Sequence, residues 1–288
     1  MEIGIGLAVA VALMTNLASL LKHRGCQEAR SCTERPLSGL RDLAGSRWFV
    51  AGWLLAGIGW LAHVAALSMA PISLVQAVLA GGAVLLAVLS QQLFGDPVGR
   101  RQWLALTIGA AGLVLLVLTL PKFHGADSEF STSAIVSFEG GLVMIAAGIA
   151  LGHRSERLAA RRGVLRAVLA GLLFALAGIA IKAVMGGSGG LAMAVPLVAL
   201  VIGCGALAQY TAVAALQGGG AIETIGLMGL VANATQIVGG VLVFGDPLSP
   251  SPLGLALQAS AFAMVCFSAL LLPSPLAAPR AVLPAARG

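Results

Sequence analysis

Apolar residues dominate nine runs along the chain, residues 3–21, 48–69, 72–94, 102–120, 134–152, 164–184, 191–216, 222–244 and 253–272, with short polar stretches between them. Crossing a hydrocarbon core of about 30 Å takes roughly 20 apolar residues in a helix, so each run is long enough to span a bilayer. Lipid offers no partner to an unpaired backbone N–H or C=O, and none of the runs shows the short alternation of a barrel strand. The pattern therefore predicts an all-α integral membrane protein with nine transmembrane helices and no separate soluble domain.

Two of the runs end alike. Phe94-Gly95-Asp96-Pro97 recurs as Phe244-Gly245-Asp246-Pro247, a shift of 150 residues. A two-residue slip in Ser249-Pro250-Ser251-Pro252 then sets Pro121 opposite Pro273, and Ala65 to Leu67 matches Ala214 to Leu216 with one further position of displacement. Run 1, ending at Lys22, pairs with run 6, ending at Lys182. Runs 1–4 thus pair with runs 6–9 and run 5 is left over. An odd number of crossings between equivalent helices inverts one copy relative to the other, which predicts an inverted-topology 4+1+4 repeat. Such folds place a solute site near the midplane between the halves and expose it to each side in turn. The expected divisions are a first repeat over 1–121, a linking helix with a basic loop over 122–163, a second repeat over 164–273, and a disordered inner tail over 274–288.

Composition agrees with this picture. The chain is 59% hydrophobic and 10% charged, with a mean hydropathy of +0.99, whereas soluble domains carry about a quarter charged residues. With the N-terminus outside, the inner side collects Lys22, Arg24, Arg30, Arg35, Arg41, Arg47, Arg100, Arg101, the arginines from Arg154 to Arg166, Arg280 and Arg287; Lys122 and Lys182 fall elsewhere. The expected placement is a multi-pass plasma (inner) membrane protein with its C-terminus in the cytoplasm. The net charge of +6 reads as this asymmetry, with anionic lipid as partner and no nucleic acid. Cys26 and Cys32 match no common zinc spacing, and Cys204 and Cys266 lie within apolar runs. Gly186 to Gly190 lacks the strand and Lys-Ser/Thr of a phosphate loop. No enzyme activity and no cofactor are expected.

Ionisable groups within lipid cost at least about 2.5 to 3.5 kcal/mol, so each is a candidate for function. Four stand in the runs: His63, Glu139, Lys182 and Glu223. Glu139 lies about 7 Å below the start of its run at 1.5 Å per residue and is the first candidate ligand for a cation or proton; snorkelling, or a pair with Lys182, would explain it equally well. Glu223 follows Gly218-Gly219-Gly220, where a carboxylate also complements a helix dipole. These two are the expected metal ligands, on opposite faces and so suited to successive gates. Lys182 shares the small-residue stripe Gly171, Ala175, Gly178, and His63 shares Gly52, Ala56, Gly59. An inward ammonium at Lys182 suits an anionic or zwitterionic solute better than a cation.

Neutral polar residues gather on the same faces. Run 8 carries Gly226, Gly229, Asn233, Gln236 and Gly240 at 3-4-3-4 spacing, and its repeat mate carries Ser73, Gln76, Ala80 and Ser90. Asn16 in run 1 and Gln209 with Tyr210 in run 7 add to a cavity able to bind a hydrated cation or polar solute; helix-to-helix hydrogen bonding accounts for any one of them alone. Asp96 and Asp246 are expected to fix turns and helix ends.

Ala70-Pro71-Ile72-Ser73-Leu74-Val75, the stretch to Phe94-Gly95-Asp96 and the glycine-bearing Gly109 to Leu118 segment resemble the drug/metabolite transporter (DMT, EamA-like) superfamily. The nine-span layout, the Ala-Pro-x-Ser-Leu-Val start and the Gly171 to Lys182 segment resemble its NIPA-like magnesium transporter branch. Gln76-Ala77 stands where that branch continues toward a second proline and a glycine, and Asp96 and Asp246 replace glutamate. The resemblance implies a secondary transporter or facilitator of a divalent cation such as Mg²⁺. An exporter of a metabolite or cationic drug is the alternative of the same fold, and a non-transporting scaffold or lipid-binding protein is a third class. A second copy of the chain is the one protein partner left open.

Overall fold

A computed structural model describes residues 2–29, 36–95, 98–119, 130–152, 161–186, 190–246 and 248–271. Asp96, Lys122, Cys32 and the 274–288 tail lie outside the described residues. Every regular element among those described is a helix: α1 Glu2–Glu28, α2 Pro36–Gly45, α3 Arg47–Met69, α4 Ile72–Phe94, α5 Arg100–Thr119, α6 Thr132–Gly152, α7 Arg162–Gly186, α8 Gly190–Leu216, α9 Ala221–Val243 and α10 Pro252–Leu271. By length and composition, α1, α3, α4, α6, α7, α8 and α9 can each cross a membrane, and α10 holds a shorter apolar stretch, Pro252–Val265. The protein is a multi-pass membrane protein.

The apolar runs and these helices agree to within two residues at most ends, with two differences. Helix α1 continues to Glu28 rather than stopping at residue 21. Its last turns stay ordered because they pack: Lys22 and Cys26 are buried, and a Cβ at Gly25 would press on Phe49 at the start of α3. Helix α2 falls in the polar stretch between the first two apolar runs. Leu37, Leu40 and Leu43 recur every third residue beside Arg41 and Asp42, a short amphipathic pattern, and Leu43 is buried with Leu20, Cys26 and Leu86.

Small residues set the helix packing, as expected where lipid supplies no hydrophobic drive between helices. Helix α1 runs antiparallel to α3, with Gly4 against Met69 and Ala70, Gly59 against Met14, and Gly52 against Ala18 and Lys22. It runs parallel to α4, where Gly82 faces Ala12 and Asn16. Helix α7 packs on α8, and in parallel on α9 through Gly171 at Met228 and Val231 and Gly178 at Gln236. The stripe Gly171, Ala175, Gly178, Lys182 is therefore an inward face, buried throughout. Helices α4 and α9 cross antiparallel at the centre, and α5 and α10 lie antiparallel beside them, Gly109 meeting Ser268 and Gly112 meeting Ala261. Helix α6 packs by one face on α7 and α9.

The bundle has two ends. At the first, called the Pro71 end, α3 stops, α4 starts, and α7 and α9 finish. At the second, the Glu223 end, α1 and α8 finish and α5, α7 and α9 start. Gly95 and Gly245, the glycines of the two FGDP copies, have φ of +70° and +63°. Only glycine takes this left-handed geometry freely, which accounts for its place after each helix.

Candidate functional site

A cavity of about 50 Å³ lies between α1, α4, α5, α9 and α10. One water needs about 10–15 Å³, so it holds roughly three to five. Its walls are mostly Ala, Leu, Val and Gly, with three polar side chains: Asn16, Asn233 and Ser268. Asn16 stands at the middle of α1, its amide nitrogen donating to the carbonyls of Ala12 (2.7 Å) and Gly82 (3.0 Å), which leaves its Oδ1 as an acceptor. Asn233 stands at the middle of α9, is 8% exposed, and makes no hydrogen bond among the described residues. The Ser268 hydroxyl donates to Val265 O at 2.8 Å. Gly226 and Gly229, on the Asn233 face of α9, supply the space.

Below the cavity, toward the Glu223 end, Glu223 continues the face Gly226, Leu230, Asn233 at 3-4-3 spacing. It lies about 15 Å from Asn233 along the axis at 1.5 Å per residue. Gln102 on α5 donates to Glu223 Oε1 at 3.4 Å, and Gln102, Ala105, Leu106 and Gly109 form the facing wall. At the same end Gln27 donates to Leu216 O (3.2 Å), and Lys22 to Gln209 Oε1 (3.4 Å). Gln209 therefore serves a contact between α1 and α8, outside the cavity. Tyr210, expected to join it in the lining, is 48% exposed on the outer face of α8. The register decides this: Thr211 to Leu216 form the buried end of α8, and Tyr210 points away from them.

Above the cavity, toward the Pro71 end, lies a second polar layer. Gln76 on α4 donates to Gln236 Oε1 on α9 at 2.9 Å, both buried. Gly178 allows this, because a Cβ there would overlap the Gln236 amide. Lys182, 2% exposed, donates from Nζ to Leu67 O (2.8 Å) and Ala70 O (3.2 Å) at the end of α3. Asp246 Oδ2 accepts from the Ser73 backbone N–H at 2.9 Å, at the start of α4. Lys182 is thus committed to helix carbonyls and pairs with neither Glu139 nor the cavity.

Glu139 is 6% exposed on the single packed face of α6, with Ile135, Leu142 and Ala146. Neither of its oxygens has a hydrogen-bond partner, and it does not snorkel. His63 is half-buried on α3, its Nδ1 likewise unpartnered. Neither lines the cavity of Asn16 and Asn233. Among the described residues, no three His, Cys, Asp or Glu side chains gather as a metal cluster.

Of the residues singled out from the sequence, Asn16 and Asn233 meet at one cavity, Gln76 and Gln236 bond directly above it, and Glu223 lies below it on the same face. Reading the sequence missed Ser268 and the α5 and α10 walls. The signal was present in Gly109 and Gly112, spaced as a close-packing face.

A family profile described as magnesium transporter NIPA matches residues 1–203. No curated protein and no solved structure matches the chain.

Proposed function

The chain belongs to the magnesium transporter NIPA family, and from that premise we propose how its bundle carries a cation. The protein is a membrane cation transporter. Its substrate is a divalent ion of the Mg²⁺ class, bound in the cavity between Asn16 and Asn233.

The observation that carries this reading is the cavity itself. It runs from mid-bundle toward the Glu223 end, and an amide from each half lines it, Asn233 and an Asn16 whose Oδ1 is left as an acceptor. Mg²⁺ holds its waters tightly and is usually met by one or two carboxylates with waters kept. Room for three to five waters is less than an octahedral hexahydrate needs. The amide oxygens of Asn16 and Asn233 would therefore replace part of the shell, or the cavity would widen as the halves move. Glu223, on the same face of α9, is the carboxylate that draws the ion in from its end.

We read the nine long helices as spans in an inverted 4+1+4 repeat, with α1, α3, α4 and α5 matching α7, α8, α9 and α10. The packing of α1 on α3 and α4, repeated by α7 on α8 and α9, supports this, as does the antiparallel crossing of α4 on α9 and α5 on α10. All the described arginines lie at the Glu223 end, which by the positive-inside rule is cytoplasmic. The ion site then exchanges between sides as one half rocks on the other. The exporter alternative needs Lys182 to face a solute, and its bonds to Leu67 O and Ala70 O count against that.

The test is uptake by the purified chain in proteoliposomes, offered Mg²⁺ against a panel of amino acids and organic cations. Gradient-driven Mg²⁺ uptake without ATP is expected. Uptake of a panel solute with none of Mg²⁺ contradicts the reading.

A further inference from the structure

We propose that Lys182 and Asp246 are the positioning residues of a gate at the Pro71 end, a latch by which the second half clamps the break between α3 and α4. The inference rests on the transport reading above and deepens it.

The break originates in Pro71. Proline has no N–H and forces the residue before it into extended geometry; Ala70 has φ −146° and ψ 157°. Helix α3 stops there, and its last carbonyls lose their in-helix donors, while α4 begins with N–H groups that have no in-helix acceptor. Away from water these orphans must be met from elsewhere. Both partners come from the other half. The Lys182 ammonium takes Leu67 O and Ala70 O, and the Asp246 carboxylate takes the Ser73 N–H. Each charge also has the sign its helix end favours, positive at the end of α3 and negative at the start of α4. Gly240 makes room for the carboxylate, since a Cβ there would come within 2.5 Å of Asp246 Oδ2.

The opposite end is built differently. Lys22, the repeat mate of Lys182, donates to the side chain of Gln209 at 3.4 Å rather than to carbonyls at a helix break, and Gln27 meets Leu216 O at 3.2 Å. The α8–α9 connection, Gln217 to Gly220, has no proline. One end is therefore held by two charges on a broken helix, at 2.8 to 3.2 Å, and at the other the described bonds between the halves, including Gln102 to Glu223, are longer, at 3.2 to 3.4 Å. The cavity lies on the loosely held side: it reaches Ile225 on α9 and Ala105 on α5 but stops short of Gln76 and Gln236. Opening the Pro71 end must part α4 from α9, so it breaks the Ser73–Asp246 bond. The orphaned groups then need water, which ties release of the latch to hydration of the ion path.

The test places a cysteine at Leu79, a cavity residue on α4, in a chain whose native cysteines are replaced, and measures labelling by a membrane-impermeant thiol reagent from each side. K182M and D246N are expected to speed labelling from the Pro71 side at least tenfold and to slow it from the Glu223 side. K182R and D246E should restore much of the parental pattern. A merely structural role would not move the two sides in opposite directions, and unchanged side preference in both variants overturns the proposal. This readout needs no Mg²⁺, so its failure is separate from failure of wild-type Mg²⁺ uptake, which would refute the transport reading. If neither variant is monodisperse, amide exchange over Ile72–Gln76 in the wild-type chain decides. Exchange that quickens during Mg²⁺ turnover supports the latch, and unaltered exchange overturns it.

Discussion

Replacing Lys182 by methionine keeps most of its volume but deletes the ammonium that meets the end of α3. Two interhelical hydrogen bonds are lost, at 2.8 and 3.2 Å. Measured inside membranes such bonds average about 0.6 kcal/mol and reach about 1.7, so the pair contributes about 1 to 3 kcal/mol. The upper end applies, because Leu67 O and Ala70 O are left without donors where water is excluded, and a buried orphan costs about 1 to 3 kcal/mol. We expect K182M to lose about 3 kcal/mol, more than a hundredfold in the folding equilibrium at 1.4 kcal/mol per decade. Equilibrium unfolding in mixed detergent–SDS micelles measures this directly, with K182R as the control that keeps the charge. A loss below about 0.5 kcal/mol for K182M would mean that the carbonyls find other donors, and the reasoning about the α3–α4 break would fail.

Other outcomes follow from the same geometry. Glu223→Gln removes the charge at the mouth of the cavity and should raise the half-saturating Mg²⁺ concentration about tenfold, an effect of about 1.4 kcal/mol; unchanged saturation in a flux assay would remove Glu223 from the path. Gly229→Leu fills the cavity, since Gly229 lines it and a Cβ there would meet nothing within 4 Å, and should abolish uptake while the chain stays monodisperse. Retained flux would show that the ion does not pass there. Glu139→Leu replaces a buried carboxyl that has no partner by an apolar group of similar size, and should stabilise the chain by about 1 to 2 kcal/mol. A marked loss of stability would reveal a partner for that carboxyl.

Most of the fold is legible in the sequence because lipid leaves little choice. Where backbone groups must pair internally, a long apolar run is a helix, and the ends of α3, α4 and α8 coincide with Met69, Phe94 and Leu216 as read from the pattern. The twin FGDP glycines carry their own physical reason in a left-handed φ. Helix α2 escaped because it is ten residues long with few apolar positions, and it resembles a polar loop until Leu43 is seen against Leu20. At the site, spacing identified the Asn233 face of α9 and the inward stripe on α7. It could not say what Lys182 meets, because its partners are backbone carbonyls, which have no sequence signature. Glu139 shows the same limit: its depth marked it as a candidate, and only the packing of α6 shows that its face meets apolar neighbours rather than the cavity.

The central claim is that the ion binds between Asn16 and Asn233. It is tested most directly by Mg²⁺ uptake into proteoliposomes holding N16A, N233A or the wild-type chain, followed with a trapped Mg²⁺-sensitive dye. The account predicts rapid uptake for the wild type and at least a tenfold loss for each variant, with both variants still folded. Wild-type rates in both variants would contradict it.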